Sequence, residues 1–264
     1  MQVTISELLS GMRALAAGLP QTVDELLFGD PGARVLAVAC AFSGSQHVIE
    51  QAAALGANLL IVHEGLFYSH QDNRGFLQDD PVYEQKLRLI EESGIAIYRC
   101  HDYWHRVQPD GIMTGLLREL SWEKYVEHQT DTAAVLSIPE MSLVDTAAYL
   151  KERLGISCVR AAGDASQPCQ RVGVTVGYRG GAGLAVPLYT RERLDLLIAG
   201  EGPEWETPEY IKDAVQQGHA KSLLMLGHAE SEVPGMRYLA DSLREKFPDI
   251  PVYFIADKPV FRIY

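Results

Sequence analysis

The chain repeats part of itself, and this repeat restricts the folds that it can adopt. When the sequence is shifted by 137 positions, residues 34–65 align with residues 171–202 without a gap, and 8 of the 32 positions are identical. Seven of these identities fall at the two apolar ends of the segment, where strands are expected. The strands that come next also end alike, in Cys100-His101 and Gly227-His228. The repeat therefore predicts a duplicated unit in which helices cover a sheet.

Short apolar runs alternate with amphipathic helices along the chain. The runs are apolar on both faces, which is typical of strands in a parallel sheet covered by helices: 35–41, 59–63, 95–100, 171–176, 196–199, 223–226 and 252–256. Capping residues mark helix ends, as where Ser142 precedes a helix that Gly155 ends, and we expect the last helix to begin at Pro234. We therefore expect an α/β fold of two related lobes, residues 1–128 and 129–264, divided near Pro139.

The charge and the cysteines restrict the partners and the compartment. Acidic residues exceed Lys plus Arg by 35 to 23, which gives a formal net charge of −12. Proteins that bind the phosphate backbone usually carry a basic excess, so we expect no nucleic-acid partner. The sequence has no apolar run of about 18 residues and no secretory signal at its N-terminus, so we expect no membrane partner. The four cysteines are scattered, which favours free thiols and a cytoplasmic location.

Potential metal ligands stand where predicted strands end. They form three pairs: His63 with Glu64, His101 with His105, and His228 with Glu232. Residues four apart lie on one face of a helix, so each of the last two pairs can point to one side. Imidazole nitrogen and carboxylate oxygen together suit Zn, Mn, Fe or Ni better than Ca or Mg. A single histidine at a strand end is usually a hydrogen-bonded polar residue, but the clustering of these pairs favours a metal site.

Other kinds of site have weaker support. The sequence contains no G-x-S-x-G, no P-loop and no H-E-x-x-H motif. The glycine-rich residues 177–183 follow a strand, but they lack the G-x-G-x-x-G spacing and a recognisable helix start. We therefore expect a loop there and not a phosphate site. Cys100 adjoins His101 and is an alternative soft metal ligand.

Four motifs resemble those of one known family. The block 56–63 ends in a histidine after four apolar residues and is followed by Gly65-Leu66-Phe67, similar to that family's strand ending in His-His-Pro-x-x-Phe. The other three are Ile97-Tyr98-x-x-His101-x-x-x-His105, Leu196-Leu197-Ile198-Ala199-Gly200-Glu201 and Gly227-His228-x-x-x-Glu232. They occur in the family's order across about residues 34–245. The chain thus resembles the NGG-interacting-factor-three-like dinuclear-metal-centre family, some of whose members are called GTP cyclohydrolase I type 2 homologues.

The resemblance implies two interlocked α/β lobes with a metal pocket between them, commonly assembled as a homohexamer. In the family a His-His pair, an Asp, and a final His and Glu hold two metal ions. His63, His228 and Glu232 match in type, whereas Glu64 replaces the second His and His105 replaces the Asp. These exchanges are complementary and conserve the ligand count and the summed charge.

Two further features mark the chain as a divergent member by resemblance. His101 matches a preceding family His, as an additional ligand or as a residue behind the ligands. The family's N-terminal Trp-Asp-Asn-x-Gly-Leu motif is not recognisable, and Val23-Asp24-Glu25-Leu26 matches it poorly.

Two functions follow from these expectations. The first is a metal-dependent hydrolase that acts on a small polar or nucleotide-like substrate, with two divalent ions activating a water molecule. Glu230 or Asp102 would then accept a proton. The second is a non-catalytic protein that binds or delivers metal or acts as a regulatory partner. A third interpretation, a structural α/β protein with hydrogen-bonded histidines, predicts no bound metal.

Overall fold

The computed structural model describes residues 3–14 and 21–264, which form two compact units. Unit 1 draws on Met1–Gly111 and Met236–Val260, and unit 2 draws on Ile112–Gly235 and Phe261–Tyr264. The chain therefore leaves unit 1 and returns to it. Each unit has its own sheet with helices, as the duplicated α/β architecture requires. The exact division at residues 128 and 129 stays a prediction.

The helices and strands alternate through most of the chain. In chain order they are α1 (Ile5–Arg13), β1 (Leu26–Phe28), β2 (Val38–Ala41), α2 (Gln46–Ala54), β3 (Leu59–Val62), α3 (Pro81–Ser93), β4 (Ala96–Arg99), α4 (Asp102–Arg106), α5 (Gly111–Glu119), β5 (Val126–Gln129), β6 (Ala134–Ser142), α6 (Leu143–Leu154), β7 (Arg160–Ala162), β8 (Pro168–Val174), α7 (Ala182–Glu192), β9 (Leu196–Ala199), α8 (Thr207–Gln216), β10 (Ser222–Met225), α9 (His228–Lys246) and β11 (Val252–Phe254). Short 3₁₀ turns lie at Gly75–Leu77 and Glu123–Tyr125. Within the described residues, no helix is long and apolar enough to cross a membrane.

The sheet of unit 1 has the strand order β1-β4-β3-β2-β11. Strands β4, β3, β2 and β11 are parallel, and β1 pairs antiparallel with β4 at the edge. Every residue of β2, β3 and β4 is buried, as the apolar runs predict. The carboxyl ends of β3 and β4 lie side by side, since Val62 is paired with Arg99. Residues that follow these two strands therefore meet at one edge of the sheet.

The sheet of unit 2 has the order β5-β6-β8-β9-β10-β7. Its centre, β8, β9 and β10, is parallel, and β5, β6 and β7 add antiparallel pairs. The segment near Pro139, expected to divide the lobes, lies inside β6 within this unit. The pairing of β6 with β8 shifts register between Ser137 and Met141, which accommodates a proline that cannot donate a ladder hydrogen bond.

Several helix ends confirm the sequence prediction. Ser142 caps α6 by accepting the backbone N–H of Asp145, and Gly155 ends that helix in the left-handed region at φ 65°. Pro81 opens α3, and Gly94 ends it at φ 64°. Only glycine adopts this conformation at no steric cost, which is why both helices stop where they do.

Two expectations about helix starts were wrong. A helix, α7, does begin within the glycine-rich segment 177–183, and the Glu206 carboxylate accepts its first N–H, from Ala182 at 2.8 Å. An acidic side chain thus already occupies the position that a phosphate would take.

The last helix, α9, begins at His228 and contains Pro234, which was expected to start it. Ser231 secures the early turns, because its Oγ donates to the His228 carbonyl at 2.7 Å and accepts the Gly177 N–H at 2.9 Å. These bonds offset the hydrogen bond that the proline cannot make.

Candidate metal centre

Three histidines of unit 1 converge at the carboxyl ends of β3 and β4. His63 directly follows β3, His101 follows β4, and His105 lies one turn further, on α4. One ligand atom from each lies within 4.8 Å of the other two. The His63 and His101 rings stack with their centroids 4.4 Å apart, and the His105 ring stands 5.1 Å from each. The structure thus brings together histidines that are 42 positions apart in sequence, 63 to 105.

An acceptor oxygen holds the Nδ1 atom of each of these rings. His63 Nδ1 lies 3.1 Å from the Cys100 carbonyl, His101 Nδ1 lies 3.0 Å from Asp102, and His105 Nδ1 lies 2.9 Å from Asp110. Carbonyl and carboxylate oxygens only accept, so in the neutral ring Nδ1 carries the proton and Nε2 carries the lone pair. Metal-binding histidines are oriented in the same way, with the ring nitrogen opposite the metal donating to a carbonyl or a carboxylate.

Burial favours the neutral, metal-binding form of His101. His63 is fully buried, and the His101 and His105 side chains are only 17% and 8% exposed. Burial, together with the nearby rings of His63 and His105, lowers the pKa of His101 from 6.5 to about 3. Metal ions bind histidine only in its neutral form, so this environment favours a metal over a proton.

Asp24 positions the start of the short helix α4, which follows His101 and carries His105. Its buried carboxylate accepts the backbone N–H groups of His101, Asp102 and Tyr103 at 2.9, 2.8 and 2.9 Å. These are N–H groups of the first turn, which have no partner inside the helix. In the sequence, Asp24 stands only within a poor match to a family motif, and this pattern does not indicate its role.

Glu64 lies beside the histidines and against an arginine. Its Oε1 is 3.9 Å from His101 Nε2, and its Oε2 is 3.4 Å from an Arg99 nitrogen. Glu64, His70 and His101 form a second group whose ligand atoms lie within 4.8 Å of one another. The His70 side chain is half exposed. The four predicted ligands of unit 1, His63, Glu64, His101 and His105, are therefore neighbours.

The two predicted ligands of unit 2 are also adjacent. His228 Nε2 lies 3.2 Å from Glu232 Oε2, one helical turn along α9, and the Glu232 side chain is 3% exposed. On the other side of the ring, His228 Nδ1 lies 2.8 Å from Glu201, which aligns with Glu64 in the repeat. With the proton on Nδ1, a lone pair and a carboxylate face each other, and a cation between them relieves the repulsion.

A glycine makes room for this pair. Gly177 has φ +57°, and a Cβ built on it would lie 2.3 Å from Glu232 Oε1 and 3.2 Å from His228 Nε2. A side chain at position 177 would therefore displace the two ligand atoms. The glycine-rich segment thus contributes space for the His228–Glu232 pair.

The remaining sequence candidates take other roles. Cys100 gives its carbonyl to His63, and burial raises the pKa of its thiol well above the usual value, so the thiol stays protonated. Burial alone would raise the pKa of Asp102, but hydrogen bonds from His101 and from the Val23 N–H lower it. Asp102 therefore orients His101 and is a weak proton acceptor. Glu230 lies close to Gly227, beside the start of α9.

The donor chemistry fits a divalent metal. Three imidazoles with oriented rings are one donor set of catalytic zinc sites, which keep a further position for water. Nitrogen with added carboxylate oxygen suits Zn, Fe, Mn and Ni, whereas Ca and Mg prefer oxygen ligands only. The chemistry of the donor set, together with the Nδ1 contacts, supports a metal site in unit 1.

Proteins with similar sequences align over most of the chain. A protein of Deinococcus radiodurans called a GTP cyclohydrolase 1 type 2 homolog is 30% identical over 227 residues, covering 84% of this chain and 80% of the relative. A protein of the same description from Clostridium perfringens is 23% identical over 245 residues, covering 88% and 87%.

Solved structures share the fold. A hypothetical protein of Staphylococcus aureus superposes with a TM-score of 0.78 at 18% identity over 100% of both chains. A Bacillus cereus protein related to NIF3 gives 0.78 at 14% identity, over 100% of this chain and 99% of that one. The sequence model of the Duf34/NIF3 (NGG1p interacting factor 3) family matches residues 21–259. The chain belongs to the Duf34/NIF3 family.

Proposed function

We propose that this protein binds divalent metal ions and is a metal-dependent hydrolase acting on a small polar or nucleotide-like substrate. The proposed ligands are His63, Glu64, His101, His105, His228 and Glu232. The family pattern implies two ions, drawn from Zn, Fe, Mn or Ni. The family pattern and the chain's composition also support a homohexamer in the cytoplasm.

One observation carries the proposal, namely the three histidines of unit 1. A structural histidine needs one or two hydrogen-bond partners and no particular neighbours. Here three rings have Nδ1 held by an acceptor and their ligand atoms gathered within 4.8 Å. Packing three imidazoles this closely is costly unless a cation draws on their lone pairs. The His228–Glu232 pair of unit 2 supplies a further nitrogen and oxygen.

The chain's own residues give the proposed site its chemical character. A bound divalent metal would lower the pKa of a water molecule and polarise a phosphoryl or carbonyl oxygen. The Cys100 carbonyl, Asp102 and Asp110 fix the three rings, so the ligands need little rearrangement. Glu232 is buried and Glu64 is partly buried, so both carboxylates are shielded from bulk water. Their two negative charges would offset the charge of a bound cation.

Elemental analysis of the purified protein tests metal binding. We expect stoichiometric metal in the wild-type protein and its loss in His63→Ala and in His228→Ala. His219→Ala is the matched control, because His219 is an exposed histidine outside both donor groups. A wild-type protein without metal after purification in reducing buffer without chelators would refute the proposal, and so would equal metal content in His63→Ala and His219→Ala.

Turnover separates a hydrolase from a carrier, since a fold or a family alone does not decide the chemistry. The relatives' name, GTP cyclohydrolase 1 type 2 homolog, suggests a test panel of nucleotides, phosphoesters and cyclic amides. A hydrolase should turn over at least one of them with the wild-type protein and none with His63→Ala. Rapid metal exchange without turnover would instead support the delivery or regulatory function. Light scattering tests the hexamer, which a monomer of 29.2 kDa would contradict.

A further inference from the structure

Arg99 is a buried charge beside the proposed metal ligands. It is the last residue of β4, and its side chain is only 2% exposed. An arginine does not lose its proton inside a protein, so its burial is costly unless its N–H groups are paired. The partners of Arg99 therefore identify what this charge is positioned to hold.

Within the described residues, the side-chain hydrogen bonds of Arg99 all go to the segment from His63 to His70. Its Nε donates to the His63 carbonyl at 3.4 Å, and one terminal nitrogen donates to the His70 carbonyl at 2.6 Å. The other terminal nitrogen lies 3.4 Å from Glu64 Oε2 and 3.1 Å from His70 Nδ1. One guanidinium group thus holds both ends of the segment and the carboxylate near its start.

These contacts give the two carboxylate oxygens of Glu64 different surroundings. Oε2 faces the guanidinium, and Oε1 lies 3.9 Å from His101 Nε2. Two ligands bound to one ion at about 2.1 Å stand about 3.0–3.5 Å apart. The Oε1 to Nε2 distance is therefore close to that expected for two ligands of one ion, whereas Oε2 is held by a buried positive charge.

The same arginine settles the role of His70. A guanidinium only donates hydrogen bonds, so His70 Nδ1 is the acceptor and its ring proton lies on Nε2. His70 thus differs from His63, His101 and His105, whose Nδ1 atoms face acceptor oxygens. His70 therefore helps to hold the guanidinium in place and is not a ligand.

We propose that Arg99 is a positioning residue for the metal site: it binds Glu64 Oε2 and so presents Glu64 as a ligand through Oε1 alone. Bidentate binding by Glu64 is disfavoured, because it would pull Oε2 away from the buried guanidinium of Arg99. This inference rests on the proposed metal-binding function, but it concerns the coordination by one residue and can fail separately.

A double-mutant cycle with Co²⁺ as the probe tests the inference. Metal-free wild-type protein, Arg99→Met, Glu64→Gln and the double variant are titrated with Co²⁺, and the affinity and the visible absorption spectrum are recorded. We expect Arg99→Met to weaken Co²⁺ binding by about 10–100-fold and to change the spectrum, because a freed carboxylate alters the coordination number. In the Glu64→Gln background, Arg99→Met should change the affinity by no more than about twofold, because its effect passes through Glu64.

Arg74→Met is the matched control. Arg74 forms an ion pair with Asp72. Within the described residues, none of its hydrogen bonds or ion pairs involves Glu64. We expect it to leave the Co²⁺ affinity and spectrum unchanged.

The outcomes separate this inference from the proposed function. Wild-type protein that binds no Co²⁺ refutes metal binding itself. Wild-type binding with an unchanged affinity and spectrum in Arg99→Met overturns the positioning role, as does an equal loss in both backgrounds. If Arg99→Met does not fold, Glu64→Gln still decides, because it keeps the arginine. Unchanged Co²⁺ binding in Glu64→Gln would show that Glu64 is not a ligand and would overturn the inference.

Discussion

Replacing Asp24 by alanine removes only a small side chain, but it should strongly destabilise unit 1. Asp24 is 6% exposed, and its carboxylate accepts three backbone N–H groups at 2.8–2.9 Å. Losing a helix N-cap costs about 1–2 kcal/mol, and leaving buried N–H groups without an acceptor adds about 1–3 kcal/mol. We expect Asp24→Ala to lower the free energy of unfolding by about 3 kcal/mol, which corresponds to a Tm decrease of about 6–12 °C.

Asp24→Asn should have a smaller effect. Oδ1 accepts the N–H groups of both His101 and Asp102, and an asparagine carbonyl can keep these two bonds. It loses the charge and the bond from Tyr103, so the expected decrease is about 1–2 kcal/mol.

Denaturant unfolding of metal-free protein measures this series, with Asp30→Ala as the control. Asp30 is an exposed aspartate that accepts a single backbone N–H, from Gly32 at 2.8 Å. The expected order of destabilisation is Asp24→Ala, then Asp24→Asn, then Asp30→Ala with about 0.5 kcal/mol or less. An Asp24→Ala protein as stable as Asp30→Ala would refute the argument that this carboxylate secures α4.

Three further outcomes are expected. Gly177→Ala should be more destabilising than Gly155→Ala in denaturant unfolding, because both have positive φ but only a Cβ at 177 would lie 2.3 Å from Glu232, whereas Gly155 has open space; equal effects would contradict the steric argument. Asp110→Asn should weaken metal binding by about tenfold in a Zn²⁺ competition titration, because the ring that it holds loses an ionised partner. Burial lowers the pKa of Lys86 from 10.5 to about 8, so the unfolded chain binds more protons between these pH values and stability should rise with pH there. Lys86→Met should remove that rise, and an unchanged pH profile would contradict it.

The parallel strands could be predicted from the sequence because they are buried on both faces. An uninterrupted apolar run such as Leu59–Val62 has no other stable place in a globular protein. Two of the antiparallel strands, β5 and β7, were missed for the opposite reason. β5 is half-exposed along its length, and β7 is three residues long and largely exposed, so neither has a distinctive pattern. Hydrogen bonds to neighbouring strands define them: β5 pairs with β6 across a short turn, and β7 pairs with β10, which is distant in sequence.

The metal ligands were predictable in kind, whereas the residues that orient them were not. His63, His101 and His105 stand next to strand ends, where side chains of a parallel sheet collect. Asp24 acts on His101 from 77 positions away, and its role depends on a turn that the local sequence does not specify. In the sequence, Arg99 is an ordinary charged residue at the end of a strand. Only the structure shows that its buried guanidinium contacts Glu64 and His70.

The internal repeat has a consequence for the chemistry of the two halves. At equivalent positions, Glu64 stands beside His101 and Glu201 beside His228, and each histidine is followed four residues later by another donor. That donor is His105 in the first copy and Glu232 in the second, and His63 corresponds to Gly200. The first copy is therefore rich in nitrogen donors and the second is rich in oxygen donors. Exchanging a donor residue between equivalent positions of the two copies would therefore show how a nitrogen or an oxygen donor affects metal binding, with the unchanged copy as the comparison.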